Sequence, residues 1–68
     1  MIPFYIRLRE VREFRKKTQA ACAKCLGVSV RSYQYYEAGN REPGIKSLIA
    51  LADFFDVTLD YLMGRTDS

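Results

Sequence analysis

Two cysteines with two residues between them have the types and spacing most suited to thiol or metal chemistry in this sequence. Cys22 and Cys25 form a CxxC motif, the spacing of redox-active thiol pairs and of one half of many zinc sites. A tetrahedral zinc site needs four such ligands, but the chain has two cysteines and no histidine. The sequence therefore predicts no metal ion and no other cofactor, while thiol sensing by the pair stays open as an alternative.

The arrangements that pair a serine or cysteine nucleophile with a histidine base are missing as well. Histidine, the usual general base for serine and cysteine nucleophiles, is absent. The sequence has no phosphate-binding glycine pattern. A chain of 68 residues buries only about 60% of its unfolded surface, which leaves little room for a deep cleft. We therefore expect that the protein is not an enzyme.

The segment Ser29–Asn40, SVRSYQYYEAGN, places three tyrosines within four residues and can bind a ligand through stacking or hydrogen bonds. At 100° per residue, Tyr33 and Tyr36 share one face of a helix, whereas Arg31 and Tyr35 share another. We expect the first pair in the core and Tyr35 exposed. Binding of single-stranded nucleic acid by stacked rings is disfavoured, because two of the three rings face inward.

Helical periodicity predicts the elements that hold these side chains. Apolar residues recur at spacings of three and four, and no segment alternates apolar and polar residues as a strand would. Serine and threonine precede several periodic segments as N-caps, and glycines follow some of them as C-caps. We predict an all-α domain spanning residues 1–68, with helices over Pro3–Arg15, Thr18–Gly27, Ser29–Gly39 and Ile45–Phe55, and a fifth helix capped by Thr58.

Positive charge is concentrated in the N-terminal part of the chain. Residues 1–41 carry nine lysines and arginines against three glutamates, whereas residues 42–68 carry two basic and five acidic side chains. A basic surface there would attract a polyanion, although an ordinary solvated surface can have the same composition. No apolar run approaches the roughly 20 residues that span a bilayer, and the first residues do not read as a signal peptide. We expect a cytoplasmic protein without membrane contact.

Two short helices joined by a tight turn, Gln19–Leu26 and Val30–Glu37, are the most specific pattern in the sequence. Crossing helices need a small residue where the backbones approach, a glycine at the turn and large apolar residues between them. The residues of these types are Ala23, then Gly27, and the set Cys22, Leu26, Val28, Tyr33 and Tyr36. The pattern predicts a helix-turn-helix.

The chain resembles the Cro/CI-type (XRE) helix-turn-helix family of phage-repressor-like DNA-binding domains. The resemblance extends over the segments RLREVRE, TQAACAKCLGVS, YEAGNREP, SLIALADFFDV and TLDYLMGRTD, in this order and spacing. It implies a five-helix lambda-repressor-like bundle in which helices 2 and 3 form the helix-turn-helix. It also implies a recognition helix, Ser29–Glu37, that enters the major groove of DNA.

The resemblance implies roles for individual residues. The base-reading candidates are Val30, Arg31, Gln34 and Tyr35, and the candidates for contact with the DNA backbone are Lys17, Thr18, Gln19, Asn40 and Arg41. Gln19 matches a glutamine that reaches a phosphate and in some members also braces a base-reading side chain. Arg12 and Glu37 match a pair that forms a buried ion pair in some members. Cys22 matches a leucine position, which places it in the core.

The sequence departs from the family pattern at three places. Lys16 and Lys17 stand where a glycine and an apolar residue are common, and we expect Phe14 to supply the missing apolar contact from one turn earlier. Asp56 replaces a glycine common between helices 4 and 5, and aspartate tolerates the left-handed region better than most residues. Val30 stands where many members of the family carry a polar base-reading residue, and it offers only an apolar surface.

These expectations combine into a sequence-specific regulator of transcription, a repressor, that binds double-stranded DNA as a homodimer. The apolar candidates for a dimer interface are Tyr5, Ile6, Tyr61 and Met63. We expect no ligand-sensing module, because the sequence shows no second domain. The alternative of a different class is a protein-interaction module of the same fold, such as an antitoxin or an anti-repressor.

Overall fold

Five helices follow one another along the chain in the computed structural model, which describes residues 2–67. They are α1 (Phe4–Phe14), α2 (Gln19–Leu26), α3 (Val30–Ala38), α4 (Ile45–Phe55) and α5 (Leu59–Leu62). Residues 2–67 contain no strand, so the predicted all-α five-helix bundle is confirmed, and none of these helices is long and apolar enough to cross a membrane. The predicted domain limits include Met1 and Ser68, which lie outside the described residues.

Side-chain caps begin three of the helices, as the sequence predicts. The hydroxyl oxygens of Thr18, Ser29 and Thr58 accept the backbone N–H of the third residue beyond, at 3.0, 3.1 and 3.1 Å. Each such cap contributes on the order of 1 kcal/mol. Gly27 ends α2 in the left-handed conformation, with φ 70°, and this lets the chain turn at once toward α3.

Among residues 2–67, two residues other than glycine also have positive φ. Lys16, between α1 and α2, has φ 57°, and Asp56, between α4 and α5, has φ 58°. At both positions the resemblance leads one to expect a glycine. The left-handed conformation costs a residue with a Cβ roughly 1–2 kcal/mol, and less for aspartate, whose side chain can bond locally. The backbone therefore keeps the turn geometry at Lys16 although the residue type does not suit it.

Side chains from all five helices meet in the core. The buried members are Leu8, Val11, Cys22, Ala23, Tyr33, Leu51, Ala52, Phe55 and Leu62. Helix α3 lies against α1 and α2, while α4 packs on α2 and α5. Tyr33 is fully buried, whereas Tyr36 is half-buried and sets its ring edge-on to that of Tyr33, with centroids 6.2 Å apart. The rotation of α3 about its own axis is thereby fixed.

Arg7 on α1 is buried, which the distribution of charge along the sequence did not indicate. The Arg7 side chain is 6% exposed. Its Nη1 donates to the backbone oxygens of Tyr61 at 2.6 Å and Thr66 at 2.9 Å. The guanidinium carbon lies 4.2 Å from the centroid of the Tyr61 ring, and the carboxylates of Glu10 and Asp67 are 3.4 and 3.6 Å from guanidinium nitrogens. Arg7 therefore ties α1 to the turn after α5 and does not belong to an open basic surface.

Phe14 does not make the contact predicted for it. Its side chain is 79% exposed at the end of α1, with the Arg15 guanidinium carbon 5.6 Å from the ring centroid. The ammonium of Lys17 instead lies 5.0 Å from the centroid of the Phe54 ring on α4. A cation–π contact thus anchors the entry into α2 in place of the expected apolar one.

The apolar residues considered for a dimer interface differ in exposure. Tyr5 and Ile6 at the start of α1 are 39% and 42% exposed. Tyr61 and Met63 are half-buried, and the Tyr61 ring is already covered by Arg7. The start of α1 is therefore the more accessible of the two candidate patches.

Candidate nucleic-acid interface

The carboxylate of Glu37, in the last turn of α3, is the centre of the helix-turn-helix. Nε and Nη2 of Arg12 on α1 donate to its two oxygens at 2.5 and 3.1 Å. Tyr33 Oη donates at 2.6 Å from the preceding turn, and Gln19 Nε2 donates at 3.2 Å from the first residue of α2. The Glu37 side chain is 5% exposed. One buried carboxylate thus joins α1, α2 and α3.

Hydrogen bonding decides the charge state of this cluster. Burial opposes the ionisation of Glu37, but hydrogen bonds from Arg12, Tyr33 and Gln19 outweigh it and lower the pKa of the carboxyl group. The hydrogen bond to Glu37 raises the pKa of Arg12, and burial together with the same carboxylate raises the pKa of Tyr33. At neutral pH the cluster consists of a carboxylate, a guanidinium and a neutral phenol.

Arg12 also fixes the turn that leads into α2. Its Nη1 donates to the backbone oxygen of Lys17 at 3.1 Å. Thr18 caps α2 directly after this residue, and Gln19 begins the helix. The first turn of α2, whose free N–H groups carry a partial positive charge, is therefore held in a defined position relative to α3.

The base-reading candidates lie on the face of α3 that is turned away from the core. Arg31 and Gln34 are exposed, and Val30 is 40% exposed. Tyr35 is half-buried, which corrects the expectation of a freely exposed ring. Arg31 Nε donates to the Tyr35 hydroxyl at 3.3 Å, and the guanidinium carbon of Arg41 lies 4.8 Å from the ring centroid. Two cations thus contact the Tyr35 side chain, Arg31 at its hydroxyl and Arg41 over its ring.

Gln19 and Arg41, both candidates for contact with the DNA backbone, each touch a base-reading candidate. Gln19 Oε1 accepts a hydrogen bond from Gln34 Nε2 at 3.1 Å. Arg41 stacks on Tyr35 as described. The structure therefore brings these four side chains together in two pairs that link α2 and the loop after α3 to the outer face of α3.

The other three candidates for contact with the DNA backbone, Lys17, Thr18 and Asn40, do not lie together. Thr18 is exposed at the start of α2, where its hydroxyl oxygen serves as the helix cap. Asn40 is exposed beyond the end of α3, and its backbone N–H donates to the backbone oxygen of Tyr35 at 3.0 Å. The Lys17 ammonium is directed onto the ring of Phe54 and does not meet the outer face of α3.

Arg9 belongs to the same surface, although the sequence interpretation assigned it no role beyond its charge. Together with Gln19 and Gln34 it lines a shallow groove beside α3. It pairs with Glu13, one turn further along α1, at 3.4 Å, and both side chains are largely exposed. A signal for its position was present, because Arg9 precedes Arg12 by three residues and so shares its face of α1.

The two cysteines have different environments and no bond between them. Cys22 is buried and Cys25 is exposed, and both are free thiols. Burial raises the pKa of the Cys22 thiol, which keeps it protonated and unreactive. Within residues 2–67, no group of histidine, cysteine, aspartate and glutamate side chains is arranged to hold a metal ion. Cys22 packs as a small apolar residue of the core.

Known proteins are similar to this chain in sequence. The sequence model of the helix-turn-helix family matches residues 8–62. The HTH-type transcriptional regulator YobD of Bacillus subtilis is 39% identical over 61 residues, which are 90% of this chain and 54% of that protein. The cryptic phage CTXphi transcriptional repressor RstR of Vibrio cholerae is 39% identical over 59 residues, which are 87% of this chain and 53% of that protein.

A solved structure matches the fold as a whole. The crystal structure of a transcriptional regulator from Listeria innocua superposes with a TM-score of 0.85 at 29% sequence identity, over 98% of this chain and 64% of that one. The chain spans about half the length of the curated relatives that it matches. The similarity therefore concerns the five-helix bundle and not the remainder of those longer proteins.

Proposed function

Because the chain belongs to the Cro/CI-type helix-turn-helix family, we propose that it represses transcription by binding double-stranded DNA in a sequence-specific way. The observation that carries the proposal is the division of α3 into two faces. Tyr33 and Glu37 hold the inner face in the bundle, while Val30, Arg31 and Gln34 are exposed on the outer face. A helix held in this way enters the major groove with its side chains already placed.

Arg31, Tyr35 and Val30 supply base contacts in this proposal. Arg31, in the first turn of α3, has the forked guanidinium that bonds guanine O6 and N7. Tyr35 sets its ring against a thymine methyl group or its hydroxyl on a phosphate, and the stacked Arg41 restrains the ring. Val30 offers a second thymine methyl group an apolar contact.

Contacts with the DNA backbone come from the start of α2 and from the loop after α3. Thr18 and Gln19 stand at the N-terminus of α2, where free N–H groups and the helix dipole favour a phosphate. Asn40 and Arg41 extend from the loop after α3, and Lys17 adds a positive charge before α2. Since each neutralised phosphate releases counterions, the affinity should fall steeply as salt is added.

We also propose a homodimer on a two-fold operator, with half-sites about one helical turn apart. One short recognition helix contacts few base pairs, and a second copy doubles the length of DNA that is read. Tyr5 and Ile6, the exposed apolar residues of the first turn of α1, are the candidates for the interface. The name of the Vibrio cholerae relative, a transcriptional repressor, supports repression as the direction of control.

A protein-interaction module of the same fold is the second candidate, and one observation favours it. Phe14 is 79% exposed at a groove beside α1 that is also lined by Val11, Val57 and Tyr61. Aromatic residues are enriched at the centres of protein interfaces. An antitoxin or anti-repressor would bind its partner there, and none of the four residues is among those proposed to contact DNA.

Selection of duplexes from a random DNA pool by the purified chain tests the main proposal. The recovered sequence and a scrambled version are then titrated at several salt concentrations, and transcription is measured from a promoter that carries the recovered sequence. We expect affinity for the recovered sequence roughly 10³-fold above that for the scrambled one, a decline with salt, and reduced transcription. Equal affinity for both duplexes would contradict sequence-specific binding and favour the second candidate.

A further inference from the structure

The hydroxyl group of Tyr35 is bonded to Arg31, one turn earlier on α3. Side chains of a helix lean toward its N-terminus, so the Tyr35 ring leans back over the turn that carries Arg31. Arg31 Nε donates to Tyr35 Oη at 3.3 Å. Two of the base-reading candidates are therefore linked to each other and do not move independently.

The loop after α3 holds Tyr35 from a second direction. The backbone N–H groups of Asn40 and Arg41 both donate to the backbone oxygen of Tyr35, at 3.0 and 3.3 Å. These bonds keep Arg41 beside the ring, and its guanidinium carbon lies 4.8 Å from the ring centroid. Tyr35 is half-buried, whereas Arg31 is exposed. The Tyr35 hydroxyl is thus a fixed point that restrains a longer and more exposed side chain.

The bond to Tyr35 decides which N–H groups Arg31 keeps for a ligand. A guanidinium has five N–H donors, one on Nε and two on each Nη atom. Since Nε donates to Tyr35, Nη1 and Nη2 remain, and their two parallel N–H bonds point away from Nε. No carboxylate of residues 2–67 forms an ion pair with Arg31. Two parallel donors complement guanine, whose N7 and O6 both accept, whereas adenine presents the donor N6 beside N7.

We propose that Tyr35 is a positioning residue whose hydroxyl holds Arg31 so that Nη1 and Nη2 contact one guanine of the bound DNA. This role rests on the proposed function, because it requires α3 in the major groove. It deepens that function by naming the two donor atoms of Arg31 and by making the preference for guanine depend on a second residue. The Tyr35 hydroxyl keeps its own hydrogen, so it can still donate to a phosphate while it accepts from Arg31.

Replacement of each G·C pair of the selected duplex by A·T tests this role. The ratio of affinities for the two duplexes is measured for the wild-type chain, for Arg31→Ala and for Tyr35→Phe, which removes the hydroxyl and keeps the ring. In the wild type we expect one pair with a ratio of roughly 5- to 150-fold, which Arg31→Ala brings near one. Tyr35→Phe should lower that ratio by roughly 2- to 13-fold, because a released arginine must be ordered again to reach guanine. Loss of a phosphate contact weakens binding to both duplexes alike and cancels in the ratio.

Two controls separate positioning of Arg31 from a general effect of the lost hydroxyl. Tyr36→Phe makes the same change at the next residue, whose ring packs on Tyr33, and it should keep the full ratio. In the Arg31→Ala background, Tyr35→Phe should change the affinity for both duplexes equally, because the side chain that it positions is absent.

Three results would overturn the role of Tyr35. They are a duplex in which no G·C pair responds to Arg31→Ala, a Tyr35→Phe chain that keeps the full ratio, and a ratio that Tyr36→Phe lowers as much as Tyr35→Phe does. A wild-type chain that binds selected and scrambled duplexes equally would instead refute the proposed function, and the role of Tyr35 with it.

Discussion

Arg12 and Glu37 join α1 to α3 through a two-point ion pair, with Nε to Oε2 at 2.5 Å and Nη2 to Oε1 at 3.1 Å. The side chains are 13% and 5% exposed, so water screens neither charge well. Such a pair adds little stability over an apolar pair of the same shape, but removal of one partner leaves the other charge buried alone. The pair also holds the Lys17 carbonyl and Gln19, on which the geometry of the proposed DNA-binding face depends.

Removal of the Arg12 side chain should therefore be costly. We expect Arg12→Ala to lower the free energy of unfolding by about 3–5 kcal/mol, the usual loss when a buried pair is broken. Arg9→Ala is the matched control, because its pair with Glu13 lies on the same helix with both side chains largely exposed. The control should lose no more than about 0.5 kcal/mol. Urea titrations that give similar losses for both variants would show that the Arg12 pair has no structural role.

Acid should weaken the fold through Glu37. Its pKa is lower in the folded chain than in the unfolded chain, so the unfolded state binds more protons as the pH falls. The stability that it contributes is complete above the unfolded pKa of about 4.3 and is lost as the pH drops through the folded pKa. We expect a steeper fall of the unfolding free energy below about pH 4.3 in the wild type than in Glu37→Gln. Parallel pH profiles would rule out this linkage.

The two faces of α3 should respond differently to alanine. Tyr33→Ala removes a fully buried ring and should cost about 3–5 kcal/mol of stability, as large aromatic truncations in a core do. Tyr35→Ala should leave thermal unfolding nearly unchanged and weaken binding to the selected duplex, because its half-buried ring lies on the outer face. Melting curves and DNA titrations measure both effects. A stable Tyr33→Ala with an unfolded Tyr35→Ala would mean that α3 is rotated.

Lys16 is the position where substitution should stabilise the chain. Its φ of 57° strains a residue with a Cβ, and Lys16→Gly should raise the free energy of unfolding by about 0.5–1 kcal/mol after the larger entropy loss of glycine. The neighbouring Arg15 has φ −82°, which suits any residue, so Arg15→Gly should instead lose about 0.5–1 kcal/mol. A shift of the denaturation midpoint in the same direction for both glycine variants would contradict the prediction that Lys16 is strained.

Local signals in the sequence account for most of the fold. Thr18, Ser29 and Thr58 cap their helices through hydrogen bonds to the third residue beyond, a contact that depends only on nearby residues. The period of 3.6 likewise separates buried Tyr33 from Tyr35 on the outer face of α3, although Tyr35 is half-buried there and not fully exposed as expected. These predictions succeed because each rests on positions less than two turns apart.

Contacts between distant segments could not be predicted in the same way. Arg7 is buried because its partners are backbone oxygens 54 and 59 residues further along the chain. Every residue has a backbone oxygen, so no residue type indicates these partners. Phe14 was expected to supply the apolar contact that the family pattern has before α2, but Lys17 on the Phe54 ring takes that role and Phe14 is exposed. The link from Glu37 through Gln19 to Gln34 likewise requires α2 and α3 to be in place first.

The most direct test of sequence-specific DNA binding compares Arg31→Ala with Lys17→Ala on the selected and scrambled duplexes. Arg31→Ala should lose about 1–3 kcal/mol of binding free energy on the selected duplex and relax specificity at one base pair. Its effect on binding to the scrambled duplex should be smaller. Lys17→Ala should weaken binding to both duplexes alike and reduce the slope of log affinity against log salt concentration by about one. Equal losses on the two duplexes for both variants would contradict base reading by α3.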